Sequence, residues 1–293
     1  MKTVFDHYSH IWPGSRLESL KPILKGVYCL HYPAESVFMP EASKKKSIII
    51  IDGPCDHNFS WFLAKGFEHV IHKEREDFVQ ELLASALMIV RPETFSKNPL
   101  PFFFTGFQTP AEKSQGERSL ILEFRESREK QEIKEHLGGF FEAIPNLRFV
   151  SDLAMQVADE MFSNVLHNAP MLPGGNRPYA GLPRSEKIVL PAGQKARLFA
   201  SYSDQRIIVG CEDPFGSLQR EPVLNRLVEI YGESHDGRPV TSPGLGMKLM
   251  IDNAANFYLY AERGAKTLIA CAFLVGGKRA NMTAAKHIHF SVL

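Results

Sequence analysis

The sequence has only four cysteines in 293 residues, and Cys29, Cys55, Cys211 and Cys271 show no CxxC spacing. That is too few for a disulfide framework in a chain of this length, so reduced thiols and a cytoplasmic location are the expectation. Long apolar runs are missing as well: stretches such as Ile48 to Ile51 and Ala86 to Val90 fall far short of the roughly 20 residues that cross a bilayer. Met1-Lys2-Thr3-Val4-Phe5-Asp6-His7 has no continuous apolar core, so no secretory signal is expected. Neither sign of charge is in excess, with 34 Lys+Arg against 33 Asp+Glu, which excludes a broad basic surface. Neither nucleic acid nor a membrane is therefore an expected partner. No Gly-x-Ser-x-Gly elbow occurs, which leaves a nucleophilic hydrolase of that type without an anchor. Eleven histidines are present, and His7, His10, His31, His57, His69 and His72 fall in the N-terminal part. None forms HxxxH or HExxH on a predicted helix, so no zinc site is expected. Internal repeats and low-complexity tracts are absent.

What is present is the composition of an ordinary globular protein, 44% hydrophobic, with a length that suggests two domains. A β-branched run at 47–51 ends at Asp52-Gly53-Pro54 and has the continuous apolar character of a buried parallel strand. A helix at 58–65, a stop at Gly66, a strand at 67–72 and a helix at 76–90 follow. This order suggests a small α/β regulatory domain, reminiscent of a response-regulator receiver but incomplete. Asp52 is its one candidate phosphoacceptor, and a structural docking domain is the alternative. Prolines 92, 99, 101 and 110 and the Phe102-Phe103-Phe104 run mark a connector, which divides the chain into 1–115 and 116–293.

The second segment opens with an alternating strand at 119–124 and a charged helix from 128, ended by Gly138-Gly139 or at the latest before Pro145. In the next helix, 151–167, Val150, Ala154, Val157, Met161 and Val165 keep the spacing of a buried stripe. Glu160, Asn164 and Asn168, each four apart, line one edge of that helix. Strands at 187–190, 196–202 and 206–211, a helix at 221–231, a helix opening at Gly244-Leu245-Gly246 and strands at 257–261, 266–275 and 287–293 complete the order.

Four motifs occur in sequence: Glu160 and Asn164 on one helix, Glu212-Asp213-Pro214-Phe215-Gly216 at a strand end, Gly244-Leu245-Gly246-Met247 at a helix start, and Gly264-Ala265-Lys266-Thr267 before a strand. Each alone has an ordinary explanation as a cap, a turn or a packing glycine. Together, over about residues 118–275, their order and spacing resemble the GHKL superfamily of histidine-kinase-like ATPases, and most closely the anti-sigma-factor serine kinases. The resemblance implies an α/β fold in which an α+β two-layer sandwich of the Bergerat type, with a mixed sheet and helices on one face, follows the smaller α/β domain.

It further implies ATP or ADP with Mg2+ as cofactors. Asn164 falls where an amide oxygen holds Mg2+, and Glu160 where a carboxylate orients or deprotonates the attacking water or hydroxyl. Asp213 matches the carboxylate that accepts a hydrogen bond from the adenine amino group, with Gly216 beneath the base and Thr267 supporting the pocket from a strand. Gly244, Leu245 and Gly246 match the loop whose backbone amides cradle phosphates, and Asn168 adds a polar group at the helix end. The implied activity is serine/threonine-kinase-like regulation of a partner protein, and a homodimer is compatible with it. The departures are Phe215 and Ser217 at the two glycine positions and His167-Asn168 in place of a basic or aromatic residue. They make a non-catalytic partner-switching protein with a degenerate pocket the alternative. Arg220, Arg226 and Arg238 of the short lid are candidate phosphate contacts, with surface solvation as the competing role.

Overall fold

The computed structural model describes all residues except 1, 13, 36–37, 98–117, 146, 173, 204–205, 233–244, 276–280 and 283–284. Its strands are β1 (Lys2–Thr3), β2 (Tyr28–Tyr32), β3 (Ser47–Ile51), β4 (His69–His72), β5 (Arg118–Phe124), β6 (Ala196–Ser203), β7 (Arg206–Asp213), β8 (Asn256–Glu262), β9 (Lys266–Leu274) and β10 (His287–Val292). The helices are α1 (Val4–Tyr8), α2 (Gly14–Leu24), α3 (Glu41–Lys44), α4 (Phe59–Ala64), α5 (Phe78–Val90), α6 (Pro92–Lys97), α7 (Lys130–Glu142), α8 (Arg148–His167), α9 (Arg220–Tyr231) and α10 (Leu245–Asn253). The fold is mixed α/β, in two compact units. The first comprises Met1–Lys113, Leu224–Arg238 and Ala285–Ser291; the second comprises Ser114–Val223, Pro239–Ala284 and Val292–Leu293. The first segment thus ends at Lys113, where the sequence reading places the boundary at 115, and two later segments expected in the second domain belong to the first unit.

In the first unit the strand order is β1-β2-β3-β4-β10. Strands β2, β3 and β4 are parallel, with Leu30 opposite Ile49 and Ile49 opposite Val70, while β1 and β10 flank them antiparallel. Ile48, Ile49, Ile50 and Ile51 are all buried, as a strand covered on both faces requires. Parallel strands that follow one another in both sequence and space contain no reversal of strand order, whereas a receiver sheet has one. The receiver-like expectation therefore does not describe this topology. Sequence patterning also misses β2, whose Tyr28-Cys29-Leu30-His31-Tyr32 has no clean apolar run, and assigns β10 to the other domain.

In the second unit the order is β8-β9-β7-β6-β5, and the pairings among these strands are antiparallel. The mixed sheet expected for this domain is thus not found among these pairings; parallel pairs occur in the first unit. Helix α8 packs on β6, β7 and β9, with α7 and α10 beside it in the same layer. Its stripe of Val150, Ala154, Val157, Met161 and Val165 is buried, and Phe162 stacks on Phe124 with ring centres 4.5 Å apart. Helix α7 runs through Gly138-Gly139 to Glu142, past the expected stop. Each glycine costs a helix about 1 kcal/mol against alanine, but burial of Leu137 and Phe141 outweighs that, at roughly 2 kcal/mol or so per large apolar side chain. Residues 187–190 are not a ladder strand: Val189 makes only an isolated bridge to Glu126.

Candidate functional site

Of the residues singled out above, Glu160, Asn164, Asn168, Asp213, Gly216, Leu245, Gly246 and Thr267 all lie in the second unit. Gly244, Arg238 and the Phe102-Phe103-Phe104 run lie outside the described residues.

Helix α8 sets the first half of the site. Its apolar stripe points to the sheet, which leaves Glu160 and Asn164 half-buried along the edge nearer α10. A Cβ on residue 246 would stand 2.0 Å from Glu160 Oε1, so a side chain there would have to push this carboxylate aside. Arg184 Nη2 lies 3.4 Å from the same oxygen, and the Glu160 side chain is 17% exposed. Leu245, by contrast, is exposed. One turn along α8, Asn164 Oδ1 accepts a 2.7 Å hydrogen bond from Asn168 Nδ2, so the amide oxygen assigned to a cation keeps one free lone pair. The helix closes where the Asn168 and Ala169 amides both donate to Asn164 O, at 2.9 and 3.0 Å, and Pro170 forbids a further turn.

The second half is the end of β7 against the β8–β9 turn. Asp213 is 6% exposed, and its Oδ1 accepts the Phe215 amide at 2.9 Å. Burial pushes its carboxyl up to about 6, against the lowering effect of the Phe215 and Gly216 amides. Thr267 is its opposite number in the β7/β9 register. The Thr267 hydroxyl adds a small lowering pull on that carboxyl, yet its Oγ1 is buried without a hydrogen bond of acceptable geometry. Gly216 has φ +56°, and a Cβ there would meet Glu262 O at 2.0 Å. Its carbonyl accepts the Gly264 amide at 3.1 Å, so this glycine exists for backbone approach to the turn.

The residue that joins the halves is one that sequence reading missed. Arg177 donates from Nη1 to Asn168 O at 2.7 Å and from Nη2 to Ser217 O at 3.2 Å, tying the end of α8 to the Asp213 loop. Arg177 and Arg184 sit in the patternless Pro/Gly-rich stretch after α8, where no periodicity marks a side chain as directed inward. Among the lid arginines, Arg220 pairs with Glu221 at 3.7 Å, and Arg226 pairs with Glu229 at 2.6 Å and belongs to the first unit.

In the first unit, Asp52 follows β3 and pairs with Lys73, the residue after β4, with His31 Nδ1 3.8 Å away. A strand-end lysine beside Asp52 was not evident from sequence, because parallel pairing of β3 with β4 is what aligns the two ends.

What the arrangement in the second unit offers chemically is a dry carboxyl and hydroxyl at the sheet end and a helix edge carrying a carboxylate and two amides. No family model and no curated protein compared with this chain matches it.

Proposed function

We propose that the second unit binds an adenine nucleotide with Mg2+ in the manner of a GHKL ATPase and acts as a serine/threonine-kinase-like regulator of a partner protein. The observation that carries this reading is the buried Thr267 hydroxyl beside the buried Asp213 carboxyl, two polar groups on facing strands, with no hydrogen bond of acceptable geometry to the hydroxyl among the described residues. Adenine presents a donor and an acceptor side by side, which is the chemistry such a pair would satisfy. The contact of Gly246 with Glu160, the Arg177 strap and the Gly264 amide on Gly216 O also support it, since they join four separately weak motifs.

In this reading Asp213 and Thr267 hold the base, the free lone pair of Asn164 Oδ1 takes part in holding Mg2+, and the backbone at Gly244 to Gly246 receives phosphate oxygens. Mg2+ supplies charge neutralisation on the phosphates. Glu160 accepts the proton of the attacking hydroxyl or water, and Arg184 orients its carboxylate. The rest is positioning.

A non-catalytic regulator is the second reading, and a specific geometry favours it: the Asn164 amide oxygen is already engaged by Asn168. Calorimetric titration of ADP with Mg2+ separates the possibilities. The kinase reading requires binding by the wild type and a loss of at least tenfold in Asn164→Ala, and absence of wild-type binding sinks it. Phosphate release that is unchanged in Glu160→Gln would remove Glu160 as the base, and nucleotide binding with no phosphate release by the wild type would leave the non-catalytic reading.

A further inference from the structure

The first unit gathers three metal-ligating side chains that no sequence spacing announces. Strand β1 pairs with β2 through Lys2 opposite Cys29 and Thr3 opposite Tyr28, and α1 starts immediately after β1, so the chain brings His7 back over the β2 edge. Cys29 and His31, two residues apart on β2, share one face of the strand. One ligand atom from each of His7, Cys29 and His31 lies within 4.8 Å of the other two. The His7 and His31 ring centres are 4.9 Å apart.

The cluster is poorly satisfied as ordinary polar packing. His7 Nε2 is buried without a hydrogen-bond partner among the described residues, which a ligand there would supply. Cys29 Sγ has only long contacts, 3.9 and 3.7 Å, to the carbonyls of Lys2 and Thr3. His31 is flanked by oxygen on both ring nitrogens: the Tyr8 hydroxyl is 3.3 Å from Nε2, and Asp52 Oδ2 is 3.8 Å from Nδ1.

We propose that His7, Cys29 and His31 form a binding site for a borderline-soft divalent transition-metal ion, zinc in particular. One thiolate and two imidazoles are the donor set such an ion selects over magnesium or calcium. Zinc bonds of about 2.0–2.3 Å put tetrahedral donors roughly 3.5 Å apart, so binding draws the three side chains inward by about 1 Å. If Nε2 of His31 is the ligand, Asp52 on Nδ1 orients the ring, as carboxylates do behind metal-bound histidines. If Nδ1 is the ligand, Asp52 becomes a fourth donor. Cys29 is fully buried, while His7 and His31 are half-buried, which gives an ion access from the solvent side. The ion would fasten β1 and α1 to β2.

The test uses Co2+ as the spectroscopic probe on the full chain, after chelation and reduction. The expected result is one equivalent bound with a thiolate-to-cobalt charge-transfer band and intense tetrahedral d–d bands, all removed by one equivalent of Zn2+. Cys29→Ser should abolish the charge-transfer band, and His7→Gln and His31→Gln should weaken binding at least tenfold. Circular dichroism in chelator should be unchanged for each variant. Absence of stoichiometric binding, or a charge-transfer band that survives Cys29→Ser, overturns the site, the latter by moving the ion to Cys55, Cys211 or Cys271. If Cys29→Ser fails to fold, His7→Gln decides: unchanged affinity overturns the proposal.

Discussion

The carboxylate of Glu160 lies 2.0 Å from where residue 246 would carry a Cβ, so the two residues are mutually dependent: the glycine is what allows this carboxylate its position beside α10. Gly246→Ala must push Glu160 away or lift α10. The loss of stability should be about 1–3 kcal/mol, the range for overpacking. Because the obstacle is the tip of a side chain, Glu160→Ala in the same chain should recover most of it. Urea denaturation of the single and double variants measures both effects.

Gly216 is less forgiving. Its φ of +56° and the 2.0 Å approach to Glu262 O involve backbone on both sides, with no side chain that can swing aside. Gly216→Ala should destabilise the protein by about 2 kcal/mol or more, and no single second substitution should restore it. The denaturation midpoint, compared with that of Gly246→Ala, tests the contrast.

Asp213 should make the protein less stable as pH rises. Its folded-state carboxyl is raised to about 6 from 3.8, so its favourable contribution is fully present below 3.8 and is lost as pH rises through about 6. At neutral pH the ionised buried group costs on the order of 3 kcal/mol. Asp213→Asn keeps an oxygen for the Phe215 amide and removes the charge, so it should be the more stable protein at neutral pH. Its advantage should shrink on acidification toward pH 4, as followed by chemical denaturation. Under the nucleotide reading, the same variant loses ADP affinity.

Three histidines, His69 and His287 buried and His72 half-buried, act in the opposite sense. Burial lowers His69, His72 and His287, with His72 falling to about 4 from 6.5. A histidine with a depressed folded-state value contributes stability above 6.5 that is lost as pH falls through the folded value, here down to about 4 for His72. That contribution is on the order of 3 kcal/mol for His72 at neutral pH. Acid unfolding should therefore take up protons at these rings, and His72→Phe should flatten the stability profile between pH 6.5 and 4. Native-state stability measured across that window checks it.

Local pattern carried a long way in some elements. Four consecutive isoleucines read as a strand buried on both faces, and the three-to-four stripe of α8 is enough to put Glu160 and Asn164 on a helix edge. Gly216 stands out in the sequence as a contact beneath a base, whereas in the structure its φ is positive and a Cβ there would meet the carbonyl of Glu262. Other features were illegible for identifiable reasons. Helix α7 continues through Gly138-Gly139 because Phe141 finds a buried place, a tertiary gain that propensity does not contain. Arg177 and Arg184 lie in an irregular segment where no period exists to read.

The sequence by itself determined the class of the chain: α/β content, parallel character around Ile48 to Ile51, a polar edge on α8 and a turn after Asp213, because each follows from residues within a few positions of one another. Only the tertiary structure decided that β10 pairs with β4, that Gly246 faces Glu160, that Thr267 stands opposite Asp213, and that His7 meets Cys29 and His31. Those are encounters between residues tens to hundreds of positions apart. Strand register and helix docking set them through the burial of whole faces, and no short stretch of sequence records the outcome.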